Sequence, residues 1–133
     1  MKPDREKWNE RYKSKEFVPG EKANPFLRRQ IGLLQKGRAL DIATGEGRNA
    51  VFLALRGFDV EAVDISAVGL DKTRRLAGAM GVNVRTILAD LDTYQIERER
   101  YDLIANFYYL NRRLIPKIKK GLKKGGQVIF ETY

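Results

Sequence analysis

The chain contains neither cysteine nor histidine. Without cysteine there is no disulfide and no thiolate nucleophile. Without histidine there is no imidazole base and no His/Cys zinc site, so no metal centre is expected. No apolar run approaches the roughly 18 residues that a spanning helix needs, and the N-terminal stretch MKPDREKWNERYKSKE lacks the apolar segment of a signal peptide. These absences point to a cytoplasmic protein with no membrane association. Repeats, low-complexity tracts and long linkers are missing too, and 133 residues suffice for one domain with a proper core.

Charge is abundant but uneven. The net charge is +9, yet residues 41–110 hold 8 basic and 11 acidic side chains. Residues 1–40 hold 11 basic and 5 acidic, and residues 111–133 hold 7 and 1. Basic ends can draw in nucleic acid or an anionic substrate, or can be solvated faces of surface helices. A mildly acidic middle suits a cationic ligand.

That middle is organised around GRALDIATGEGRNAVFLALRGFDVEAVDIS, residues 37–66. Arg38 to Ala43 is short and mostly apolar, like a buried parallel strand. Thr44-Gly45-Glu46-Gly47 breaks it with two glycines, which allow a tight turn and a close ligand approach. Asn49 to Arg56 is too apolar for an exposed helix, and Gly57 closes it. Val60 to Asp64 then reads as a second strand with an acid at its tip. Gly45-Glu46-Gly47-Arg48-Asn49-Ala50 satisfies G-x-G-x-x-G/A, and Asp64 lies 19 residues beyond Gly45, so a dinucleotide site is one reading. Asp41 argues for another: a pyrophosphate has no use for a nearby carboxylate, whereas a sulfonium and an ammonium do.

Asp41-x-x-x-Gly45-x-Gly47 resembles the first motif of class I S-adenosylmethionine-dependent methyltransferases, and Asp64-Ile65-Ser66 resembles the second. Leu88-Ala89-Asp90-Leu91, Asn106-Phe107-Tyr108-Tyr109-Leu110 and Leu122-Lys123-Lys124-Gly125-Gly126 fall where later motifs of that class stand, with Lys124 in place of a proline. Trp8-Asn9-Glu10-Arg11-Tyr12 and Asn24-Pro25-Phe26-Leu27 resemble the N-terminal cap of the tellurite-resistance and thiopurine methyltransferase-like group. The resemblance covers nearly the whole chain. It implies S-adenosyl-L-methionine as cofactor and a small-molecule acceptor as partner. Gly45 and Gly47 would receive the methionine portion beside Asp41, and Asp64 the ribose diol. Ile65 and Leu91 would hold the adenine, with Asp90 at its amino group, and backbone at Asn106 would face the ammonium. Trp8 and Tyr12 would close over the methionine end or simply pack an amphipathic helix. Phe107 and Tyr108 are acceptor-pocket candidates or plain core and rim aromatics. Arg48 pairs with Asp41 or Glu46, or faces the acceptor. Methyl transfer works by positioning, so no residue is expected to act as acid or base. The prolines of nucleic-acid amino-methylases are missing after Asn106, which disfavours base N-methylation. An NAD(P)-binding domain and a non-catalytic cofactor module with an RNA-facing basic surface remain the alternatives.

The predicted fold is a Rossmann-like αβα sandwich, mostly parallel, with strand order 3-2-1-4-5. A helical cap over 1–36 precedes a core over 37–133. Helices are expected over 3–15, with Trp8, Arg11, Tyr12 and Lys15 on one face and a turn at Phe17–Gly20, and, with Asn24 as N-cap, from Pro25 to about Gln35 with Phe26, Leu27, Ile31 and Leu34 inward. A third, which Ser66 can cap, runs through Met80 with Val68, Thr73, Leu76, Ala77 and Met80 on its buried side, and a last one starts near Leu114. Strands are expected over 82–88 and 101–107, and after a Gly125–Gly126 turn. Relatives continue into two more strands that this sequence lacks. The chain therefore reads as C-terminally short, and Val128-Ile129-Phe130 as an edge through which two copies could pair.

Overall fold

The structure, a computed structural model, describes residues 3–14 and 22–132. The readings at Lys15 and Phe17–Gly20 lie outside the described residues. Helix α1 spans Asp4–Ser14 and α2 Pro25–Gln30, followed by a 3-10 turn at Ile31–Leu33. Then come β1 (Arg38–Ile42), α3 (Arg48–Leu55), β2 (Asp59–Asp64), α4 (Ala67–Ala79), β3 (Arg85–Leu88), β4 (Tyr101–Phe107), α5 (Leu114–Gly121) and β5 (Leu122–Glu131). The sheet runs β3-β2-β1-β4-β5, and all four pairings are parallel. That is the predicted order, with the switch point between β1 and β4.

Strand alternation sorts the core into two layers. Ala39, Val60, Leu103, Ala105 and Ile129 face Leu27, Ala50 and Leu53 of α2 and α3. Leu40, Ile42, Val63 and Ile104 face Leu114 and Ile118 of α5, with Leu91 and Ile96 of the β3–β4 connection beside them. Helix α4 packs against α1 and α3. Its cap is the predicted one: the Ser66 side chain accepts from the Gly69 N–H. Asn24 caps α2 by accepting from Phe26 and Leu27, with Pro25 in the first turn. Pro116 likewise falls within the first turn of α5.

Four details differ from the sequence reading. The α2 helix gives way to the 3-10 turn at Ile31, although Phe26, Leu27, Ile31 and Leu34 all reach the core. Strand β3 starts only at Arg85, where pairing with β2 begins. Met80 is 45% exposed rather than buried, because it lies beyond the last turn of α4, and Val68 in its first turn is only half-buried. Gly125–Gly126 forms no turn before β5 but a bulge within it: β4 advances from Tyr101 to Leu103 while β5 advances from Leu122 to Gln127. Gly125 has φ +81, and a Cβ on Gly126 would stand 2.9 Å from the Lys123 carbonyl oxygen.

Candidate active site

The glycine loop sits at the carboxyl ends of β1 and β2, and the tip of β2 holds it. The Thr44 N–H donates to the Val63 carbonyl at 3.0 Å. The Gly45 N–H donates to Asp64 Oδ2 at 2.8 Å, and the Ser66 N–H to Oδ1 at 2.9 Å. The Ile65 N–H also bonds this carboxylate, so three backbone donors hold it, and of the roughly four acceptor positions of a carboxylate one is left for a ligand. Burial raises the Asp64 pKa above the usual carboxylate range, against the lowering effect of these backbone bonds. Asp41, 2% exposed, lies behind the loop and accepts from Thr44 Oγ1 at 2.7 Å. Burial, opposed by the Thr44 bond, pushes its pKa up to about 7, and the Asp64 charge adds to the rise.

The two loop glycines have different reasons to be there. Both have positive φ, +61 at Gly45 and +85 at Gly47. A Cβ on Gly45 would stand 2.9 Å from the Tyr12 hydroxyl. On Gly47 it would stand 2.4 Å from Thr73 of α4, so the missing side chain there serves helix packing as well as the loop.

A cleft opens beside the loop, roofed by α1. Trp8 and Tyr12 line it with Asp64, Ile65, Asp90 and Leu91, and Phe107 and Tyr108 close its far side. Trp8 and Tyr12 stack with ring centroids 5.7 Å apart. Burial, with the charges of Asp64 and Glu46 beside it, raises the Tyr12 pKa. Asp4 and Asp92 add two more acids to the lining, against the single cation Arg11. A neighbouring hollow, also under Trp8 and Tyr12, is lined by Thr44, Glu46, Gly47, Arg48 and Asn49. The structure thus gathers most of the candidates. Asp41, Gly45 and Asn106 line neither hollow; Gly45 is buried, Asp41 and Asn106 are 2% exposed, and Asn106 Oδ1 is buried without a hydrogen-bond partner among the described residues.

Several site residues escaped the sequence reading. Lys72, 7% exposed in α4, donates to Glu46 Oε2 at 2.9 Å and to the Tyr12 carbonyl, tying α1 to the loop. Asn9 Oδ1 accepts from Ser66 Oγ at 2.5 Å, a second tie. Tyr108, in the left-handed region at φ +56, donates through its hydroxyl to Glu131, which also accepts from Asn24 Nδ2 at 2.9 Å. Such strain persists only where the surroundings fix it. Tyr108 was already an acceptor-pocket candidate, and only its bond to Glu131 is new; Asn9 stood inside a motif, and Lys72 and Glu131 carried no signal.

The lining fits S-adenosyl-L-methionine better than a dinucleotide. It offers a carboxylate at the β2 tip, apolar walls at Ile65 and Leu91, and an excess of negative charge. Two loop N–H groups that a pyrophosphate would need are engaged, Gly45 by Asp64 and Gly47 by the Thr44 carbonyl at 3.0 Å.

Comparison with known proteins agrees. Residues 12–129 match the family model described as tellurite resistance protein TehB. A probable S-adenosyl-L-methionine-dependent methyltransferase TehB of Haemophilus influenzae is 32% identical over 90 residues, 65% of this chain and 31% of that protein. A ubiquinone biosynthesis O-methyltransferase of Serratia proteamaculans is 30% identical over 128 residues, covering 88% and 53%. The solved structure of a TehB-like SAM-dependent methyltransferase from Corynebacterium glutamicum shares the fold with a TM-score of 0.69 at 22% identity, covering 84% of this chain and 63% of that one. The chain spans about a third of the length of the TehB relative from H. influenzae. By the extent of the family match, it belongs to the TehB family.

Proposed function

We propose that this chain binds S-adenosyl-L-methionine in the cleft under α1 and transfers its methyl group to a small-molecule acceptor. One observation carries the reading: Asp64, 5% exposed at the tip of β2, braces the glycine loop and lines the same cleft as Ile65, Leu91 and Asp90. In this reading Asp64 accepts from the ribose hydroxyls, Ile65 and Leu91 flank the adenine, and Asp90 accepts from its amino group. The loop at Gly45 and Gly47 and the backbone at Asn106 meet the methionine end, while Asp41 supports the loop from behind through Thr44. Trp8 and Tyr12 cover the methionine end, and Phe107, Tyr108 and Arg48 stand toward the acceptor.

Bound in this cleft, the cofactor would supply a methyl group activated on a sulfonium, open to an acceptor's lone pair with a neutral thioether as the leaving group. The protein's part is to hold the acceptor in line and exclude water. No acid or base is required of it for a nucleophile already ionised at neutral pH.

We read residues 1–133 as one domain, a cap over 1–36 on a core over 37–133, acting in the cytoplasm, where a cysteine-free chain is at no disadvantage. Among the described residues no helix is long and apolar enough to cross a membrane. Strand β5 is a sheet edge with Val128 50% and Phe130 40% exposed, so we also propose that copies pair there. Calorimetry with S-adenosylhomocysteine, NADH and transfer RNA tests the assignment. Binding of the first alone is expected; binding of NADH alone would overturn it.

A further inference from the structure

Helix α3 reads as RNAVFLAL, too apolar to lie exposed, yet Leu55 at its end is 45% exposed, as is Met80 beyond α4. The two flank one groove. Its floor is Val51, Leu55, Leu76 and Met80, and it continues past Phe52 into a second depression beside Pro25. The rims of the pair carry Lys22, Arg28, Arg29, Arg48 and Arg56. Among the described residues no carboxylate lines either part. This is the inverse of the cleft under α1, where four acids face one cation.

We propose that this groove is a docking site for an acidic amphipathic helix of a partner protein. Charge selects the partner: five cations along two adjoining depressions form a positive field that an acidic segment complements and a basic one does not. The floor selects its form. Aliphatic side chains between two helices take the apolar face of a third, with acidic residues on its flanks reaching the arginines. Nucleic acid fits less well. Phosphates gain nothing from Val51, Leu55, Leu76 and Met80, and the one aromatic in the groove, Phe52, has the Arg56 guanidinium 5.3 Å above its ring, where a base would stack. Arg29 is also within the field of Glu131, so Arg28 and Arg56 are the better test residues.

The probe is a fluorescein-labelled helical peptide of about 16 residues, with leucines at i, i+3, i+4 and i+7 and glutamates on both flanks, followed by anisotropy with the 133-residue chain. Saturable binding is expected, weakening several-fold as salt rises from about 0.05 to 0.3 M. The double variant Arg28→Glu/Arg56→Glu should bind at least about tenfold more weakly, and Leu55→Ser about three- to tenfold. A peptide with the same glutamates but serine for leucine should bind as weakly as Leu55→Ser or worse. Circular dichroism and thermal melting establish that each variant is folded. Variants that fail to fold are replaced by Arg28→Gln/Arg56→Gln, expected to bind about threefold to tenfold more weakly. The proposal is overturned if the wild-type chain does not bind the peptide, if folded variants bind it equally well, or if single-stranded RNA or anionic phospholipid vesicles bind the groove more tightly than the peptide.

Discussion

Strand β2 carries two buried carboxylates three positions apart, and the protein treats them in opposite ways. Glu61, 3% exposed, accepts from Arg100 Nη2 at 2.6 Å, Arg85 Nη1 at 2.9 Å and the Tyr101 hydroxyl at 2.5 Å. Despite burial, hydrogen bonds from Arg100 and Tyr101 and the two guanidinium charges hold its pKa below the usual range. Asp64 has only backbone N–H partners, and its pKa is raised. Asp41, behind it, has one hydroxyl. A buried carboxylate with its cations supplied is finished structure. One held by neutral dipoles at the mouth of a cleft is left with unmatched negative charge, as a site for a cationic ligand should be.

Four substitutions break or sharpen that contrast, in falling order of effect. Gly47→Ala removes the loop's support without touching a carboxylate. Its φ of +85 and the 2.4 Å approach to Thr73 should cost on the order of 4 kcal/mol or more, read as a lost or greatly lowered thermal transition. Glu61→Ala should destabilise by about 2–4 kcal/mol in denaturant melts. That is somewhat below the full penalty for breaking a buried pair, because Arg85 is 59% exposed and can turn to water. Finding Glu61→Ala harmless while cofactor binding collapsed would reverse the roles assigned here.

Asp64→Ala should act on binding. A loss of about 1.5–3 kcal/mol in S-adenosylhomocysteine affinity is expected, the range for hydrogen bonds to a charged group, with a smaller change in stability than at Glu61. Unchanged affinity in calorimetry would remove Asp64 from the ribose site.

The smallest effect depends on pH. Asp41 has a folded-state pKa of about 7, above its ordinary 3.8. Its contribution to stability is therefore fully present below about pH 4 and is lost as pH rises through 7, because the unfolded chain ionises first. Asp41→Asn keeps an acceptor for Thr44 and has no such loss. The variant should gain on wild type between pH 4 and 7 and hold a lead of roughly 1–2 kcal/mol above that, less than the full shift implies because buried sites relax. Parallel melting curves of the two proteins from pH 4 to pH 8 would contradict it.

The contrast on β2 was only half legible in the chain. Asp64 announced itself because its distance from Gly45 is local to one βαβ unit. Ser66 and Asn24 were equally plain, since a cap acts within three residues. Glu61 gave no signal: its partners come from β3 and from the start of β4, and nothing in Asp59-Val60-Glu61 says which acid turns inward. Lys72 was invisible for the same reason, being buried only by α1 and the loop. The bulge in β5 hid because its glycine pair reads as a turn until the register with Tyr101 is known.

Trp8 is the chain's only tryptophan, and it stands in the lining of both hollows with Arg11 5.2 Å over its ring. Excited near 295 nm, the whole molecule therefore emits from a single known place, and that place is 37% exposed to solvent. A ligand that settles beneath α1 displaces water from the indole and shifts its emission, so occupancy can be followed in real time without a label. The Trp8→Phe variant, dark at that wavelength, supplies the blank.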